Sequence, residues 1–134
     1  MGTQGRWAIL HLNGEKAKMM LLEKEAPKTC NAFWSLLPLE SYAFHAKFAG
    51  DEFFFMIPKI LELENVKEFS AGDVAYYPLR QTVCIFYGKI KPFGGGRVSV
   101  FAKITENLEA VQKFGEKLKA AGPGSMKVKV EKGE

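Results

Sequence analysis

The sequence predicts a mainly β protein, a closed β-barrel of about eight strands with two packed α-helices. Three observations lead there. Seven or eight short apolar-rich segments, each bounded by Gly, Pro or a polar pair, follow one another through turn signals. Helical spacing occurs twice, once early and once late, which is not the strand–helix alternation of a parallel sheet. Apolar strands of this kind leave hydrogen-bonding edges, and closure into a barrel removes them.

The chain opens with a hairpin, Arg6 to Leu12 and Lys16 to Leu22, because the intervening Asn13-Gly14 supplies the two positive-φ residues of a type I′ turn. Pro27 suits a first helical position, and Cys30, Phe33, Trp34 and Leu37 follow at i, i+3, i+4, i+7, predicting an amphipathic helix that ends at Pro38. Strands are then expected over Ser41 to Ala49, Glu52 to Ile57, Asp73 to Tyr77, Thr82 to Tyr87 and Arg97 to Ile104. Ala49 to Glu52 reads as a tight turn. The unbroken run Phe53 to Ile57 reads as a strand buried on both faces. From Asn107 a second helix turns Leu108, Val111, Phe114 or Gly115, and Leu118 inward, sets Glu109 and Lys113 outward as a pair, and stops at Gly122-Pro123-Gly124. Met126, Val128 and Val130 alternate with charged residues, predicting a half-exposed last strand.

With 134 residues, 47% of them hydrophobic, one domain over 1–134 can bury a core without disulfides or a structural metal. No apolar run approaches the roughly 20 residues of a membrane span, the start lacks a signal peptide's apolar stretch, and Arg6 stands where a myristoylation signal wants Ser or Thr. A cytoplasmic protein without membrane association is therefore expected. The net charge of +4 comes from lysines scattered near glutamates, with only the tail Lys127, Lys129 and Lys132 locally rich, which argues against nucleic acid as a partner. The bias to Lys and Glu, with Asp51 and Asp73 the two aspartates, fits a thermophilic source. Cys30 and Cys84 lack metal or redox spacing and read as reduced core thiols. Two distant histidines predict no metal site, the Gly94-Gly95-Gly96 loop lacks the Lys-Ser or Lys-Thr of a phosphate loop, and no Gly-x-Ser-x-Gly presents a nucleophile. No cofactor is implied.

Three ordered motifs carry a family resemblance. Ala26-Pro27-Lys28-Thr29-Cys30-Asn31-Ala32-Phe33, Phe44-His45-Ala46-Lys47 and Val98-Ser99-Val100-Phe101-Ala102-Lys103-Ile104 resemble, in order and spacing, segments of cyclophilins, the peptidyl-prolyl isomerases. With Gly72-Asp73-Val74-Ala75-Tyr76-Tyr77-Pro78 and Cys84-Ile85-Phe86-Tyr87-Gly88, the chain more nearly resembles the small prokaryotic cyclophilin-like proteins of unknown function. The resemblance implies the cyclophilin barrel. Isomerisation must weaken the amide resonance behind a barrier of about 18–20 kcal/mol, and the resemblance assigns that task to an Arg after Phe-His. Here that position is Ala46. Lys47, one residue on, points to the other strand face and does not simply replace it.

The expected function is therefore binding of a small molecule or peptide in the cyclophilin-type groove without efficient isomerase activity. Its candidate rim is His45, Tyr77, Arg80, Phe86 and Tyr87. His45 reads either as a proton-exchanging ligand residue or as a satisfied half-buried histidine. Tyr76, Tyr77 and Arg80 read either as a cleft rim suited to an acidic or planar ligand or as ordinary barrel packing. Phe44 and His45 must face opposite ways. His11, in phase with Trp7 and Ile9, reads as packed. Glu62 and Glu64 form an acid–base pair only if both face one cavity. The alternatives are a divergent prolyl isomerase with Lys47 or Arg97 as donor, which is the leading activity if the chain is an enzyme, and a subunit interface built on Phe53 to Phe55.

Overall fold

The fold comes from a computed structural model that describes residues 5–47, 49–58, 63–78, 80–90 and 98–133. Eight strands and two helices follow in the order β1 (Trp7–Leu12), β2 (Glu15–Leu21), α1 (Pro27–Ser35), β3 (Leu39–His45), β4 (Gly50–Met56), β5 (Asp73–Tyr77), β6 (Thr82–Ile90), β7 (Ser99–Glu106), α2 (Leu108–Ala121) and β8 (Met126–Lys132). The strands close into one antiparallel barrel in the spatial order β1-β2-β7-β5-β6-β4-β3-β8, so β8 pairs back onto β1 and no edge remains. The expected barrel and its two helices are what the chain forms.

Asn13 and Gly14 join β1 to β2 with φ of 50° and 91°, as the turn requires. Pro27 begins α1, whose buried face carries Cys30 and Phe33 against β7, with Phe33 5.0 Å from Phe101 between ring centroids. Its N-terminus lacks a local side-chain cap. Glu64 supplies one from a distance, accepting the Thr29 backbone N–H and hydroxyl. α2 buries Ala110, Val111, Phe114, Gly115 and Leu118 against the barrel, and Phe114 meets Phe53 at 5.1 Å. Lys113 on its outer side reaches Glu15 at 3.2 Å.

The structure corrects three expectations. Gly50 already belongs to β4, so the turn spans the residues before it and the tight turn at Ala49 to Glu52 is placed too late. β4 is not buried evenly on both faces. Phe53, Phe55 and Ile57 fill the interior, whereas Met56 on the outer face is 56% exposed. For the same reason Phe53 and Phe55 are unavailable to a subunit interface.

β7 carries the feature that shapes the outer surface. Val74 and Ala75 of β5 are consecutive, yet they pair with Ala102 and Val100, two residues apart on β7. This bulge leaves Phe101 as the extra residue. Ala102 and Ile104 therefore join the interior core, while Val98 and Val100 join a second apolar cluster with Ala75, Cys84 and Phe86.

Candidate functional site

The second cluster lies on the outer face of the sheet made by β3, β4, β6, β5 and β7. Strand alternation builds it. Phe53, Val83, Ile85 and Tyr87 belong to the interior core, so Glu52, Phe54, Thr82, Cys84 and Phe86 face the other way. Phe44 stacks on Phe54 at 5.7 Å, and Phe69, from the irregular segment before β5, stacks on Phe86 at 4.1 Å. Tyr77 packs against the same cluster. The result is an apolar, aromatic surface with Phe69 as its cover.

One acid is buried in that surface. Glu52 pairs across the strands with Phe86 and is only 5% exposed. Its Oε1 atom is buried without a hydrogen-bond partner among the described residues. Burial pushes the carboxyl up to about 7, against the opposing pull of the Cys84 thiol and the Arg80 charge. Burial and the neighbouring Glu52 raise the Cys84 thiol well above its ordinary range, so it is a protonated thiol, not a nucleophile, at neutral pH. Thr82 lies beside it, Oγ1 3.8 Å from the sulfur.

A second polar group sits on the other face of β6. Tyr87 donates its hydroxyl to Glu116 Oε2 of α2 at 2.8 Å, and His45 Nε2 lies 2.6 Å from the Tyr87 hydroxyl oxygen. The bond directions make Nε2 the protonated nitrogen and leave Nδ1 as an acceptor, buried and without a partner among the described residues. Burial, then the charge of Lys119, lowers the His45 pKa, while burial and Glu116 raise that of Tyr87. At neutral pH His45 is therefore a neutral imidazole and Tyr87 a phenol. Gln112 donates to the Tyr87 carbonyl at 3.1 Å, and Gly115 lies against the Tyr87 ring where a Cβ would collide.

The five residues expected to rim one groove thus fall into two groups. Tyr77 and Phe86 meet on the outer face, with Arg80 exerting its charge on Glu52 there. His45 and Tyr87 meet on the other face, because Phe86 and Tyr87 are consecutive in one strand. Phe86 is 0% exposed beneath Phe69, so it is a floor, not a rim. Phe44 and His45 do face opposite ways, with Phe44 on the outer side. His45 is half-buried but only half-satisfied, and the carboxylate near it comes from α2, far away in sequence.

Ala46, where the resemblance implies an Arg, is 1% exposed and donates its backbone N–H to the Glu52 carbonyl at 2.8 Å. Lys47 is exposed beyond the strand, and Arg97 lies outside the described residues. Glu62 also lies outside them, and Glu64 is engaged at the start of α1, so the proposed acid–base pair is not formed by what is seen. The glycine loop at 94–96 is likewise not described. His11 is bound to Glu131 across β1 and β8 at 2.6 Å. Cys30 and Cys84 are free and buried, in separate clusters. Among the described residues no three His, Cys, Asp or Glu side chains converge as metal ligands, and no helix is long and apolar enough to cross a membrane.

Glu52 is the residue that sequence reasoning missed. Its one signal is position: it lies two residues before Phe54, in phase with the outer face of an aromatic strand.

Comparison with solved structures bears out the fold. The chain superposes on a cyclophilin-type peptidyl-prolyl cis-trans isomerase of Cryptosporidium parvum with a TM-score of 0.74 at 14% identity, covering 97% of this chain and 98% of that one. It also matches a hypothetical protein, AF2241, of Archaeoglobus fulgidus, with a TM-score of 0.62 at 27% identity over 99% of this chain and all of that one. McbB in complex with tryptophan gives a TM-score of 0.80 at 18% identity, and there the chain covers 44% of the neighbour's length. No curated protein matches the chain. The family is fixed by residues 9–130, almost the whole barrel: the chain belongs to the family described as protein of unknown function, DUF3830.

Proposed function

We propose that this chain is a cyclophilin-like binding domain that takes a small molecule or peptide on the outer sheet face around Phe54, Cys84 and Phe86, without efficient prolyl isomerase activity. The observation that carries the reading is the composition of that face. It keeps an aromatic floor while the position of the guanidinium that would polarise a prolyl amide holds the buried Ala46. Ala46 has no side-chain donor, and Lys47 is exposed past the strand end. Large aromatic surface with few polar groups suits a ligand that contributes an apolar body. The known neighbours support it in kind. A cyclophilin-type isomerase of Cryptosporidium parvum was solved in the presence of the dipeptide Ala-Pro, and McbB in complex with tryptophan. Entry requires Phe69 to leave its place over Phe86.

The test has two arms. A protease-coupled assay on an Ala-Pro peptide is expected to show no rate above the uncatalysed background of tens to hundreds of seconds. A clear acceleration would support a divergent isomerase instead. Thermal-shift measurements against metabolites and proline peptides are expected to find ligands whose effect grows in Phe69→Ala. Binding unaffected by that change would place the ligand elsewhere.

A further inference from the structure

A face that takes only an apolar body has no use for a buried acid, yet Glu52 lies within this one. β4 sets it opposite Phe86 and in phase with Phe54. Its Oε1 is inaccessible and has no partner among the described residues. A buried acceptor left in this state is costly, and a hydrogen-bond donor placed against it removes that cost. We propose that Glu52 is the polar anchor of a site for an aromatic primary amine, whose ring takes the seat of Phe69 on Phe86 and whose ammonium group donates to the Glu52 carboxylate.

This inference rests on the outer-face reading above and adds the class of ligand. The ring is argued from Phe69 itself, which lies 4.1 Å from Phe86 with 26° between the planes and so marks a flat aromatic seat. The ammonium is argued from charge and hydrogen bonding. An ionised carboxyl only accepts, so its complement is an N–H donor, and a cationic one is held more strongly. Asn65, on one side of Phe69, is clamped to β7 through Ser99 and Val100, and Ser70, on the other, donates its backbone N–H to Asp73 at 2.9 Å. Lys67 and Glu68, between the two anchors, are exposed. The proposal requires the ring to leave while both anchors stay.

The test is a titration of the full chain followed through its backbone amide NMR spectrum, with 2-phenylethylamine and its uncharged counterpart 2-phenylethanol as probes. The amine is expected to bind at least about tenfold more tightly than the alcohol, consistent with a charge-assisted bond, and to shift amides of β4 and β6. Phe69→Ala is expected to tighten both probes and keep the ratio. Glu52→Gln, which retains the shape, is expected to bring the ratio near one while the alcohol still binds, and the same spectra report whether each variant is folded. If both probes bind the face equally in the wild type and in Phe69→Ala, or if the ratio survives in Glu52→Gln, the amine site is overturned and the outer-face reading stands. If neither probe shifts β4 and β6 even in Phe69→Ala, both readings fall.

Discussion

Glu52, buried, and His45, half-buried, are ionisable groups on opposite faces of the barrel wall, and burial favours the neutral form of each. For Glu52 that means a carboxyl raised from 4.5 to about 7. Its proton binding is stronger in the folded state, so its contribution to stability is fully present below about pH 4.5 and is lost as pH rises through about 7. His45 runs the other way. Its folded pKa is depressed, so stability falls as pH drops below its ordinary value of 6.5. Glu52→Gln removes the first effect alone. Urea unfolding at pH 5 and pH 8 is expected to show the variant gaining on the wild type by an amount on the order of 3 kcal/mol between the two; a gap independent of pH would contradict a buried acid. Tyr87→Phe is expected to cost about 1–3 kcal/mol, since it leaves His45 Nε2 and Glu116 without their shared partner. Gly115→Ala drives a methyl group into the Tyr87 ring and is expected to cost about 1–3 kcal/mol in the same assay. None of these environments is visible in the local sequence. Glu116 and His45 are brought together by packing α2 against β3 and β6, and Glu52 is enclosed by residues from other strands.

At the scale of elements, local chemistry was legible wherever it was decisive. The Asn13-Gly14 turn, the proline start of α1, the spacing in α2 and the alternation in β8 each appear where the residues place them. β4 was harder to read because an unbroken aromatic run hides its period. Phe54 is on the outer face as surely as Phe53 and Phe55 are inside, but all three are phenylalanine. The β7 bulge is also invisible to alternation, since it changes which residues face the core midway through one strand. The segment before β5 depends on β7 in turn. Ser99, 0% exposed, accepts the backbone N–H groups of Glu64 and Asn65 at 3.0 and 3.1 Å. Ser99→Ala orphans two donors and is expected to cost about 1–3 kcal/mol. Hydrogen exchange at 64–66 should quicken while β1 and β2 stay protected. Unchanged exchange there would show that Ser99 does not hold the segment.

For the whole molecule, closure is the central fact. β8 lies between β1 and β3 and so closes the barrel, while α1 packs onto β7 through Phe33 on Phe101 and α2 meets β4 through Phe114 on Phe53. Phe33→Ala is expected to cost about 3–5 kcal/mol by chemical denaturation, the range for a truncated core aromatic. A much smaller loss would mean that α1 is a loose attachment to the barrel.

What the sequence by itself determined is the set of elements and the closed barrel. Those depend on turn chemistry, periodicity and ordered motifs, all of which are local or additive along the chain. Alternation along β6 already parts Phe86 from Tyr87; only the tertiary structure decided that His45 joins Tyr87, that Phe69 covers Phe86, and that Glu52 is buried within an aromatic surface. Those outcomes depend on which strands become neighbours and where one bulge reverses a face. Contacts of that kind join residues far apart in the chain and leave no local period to read.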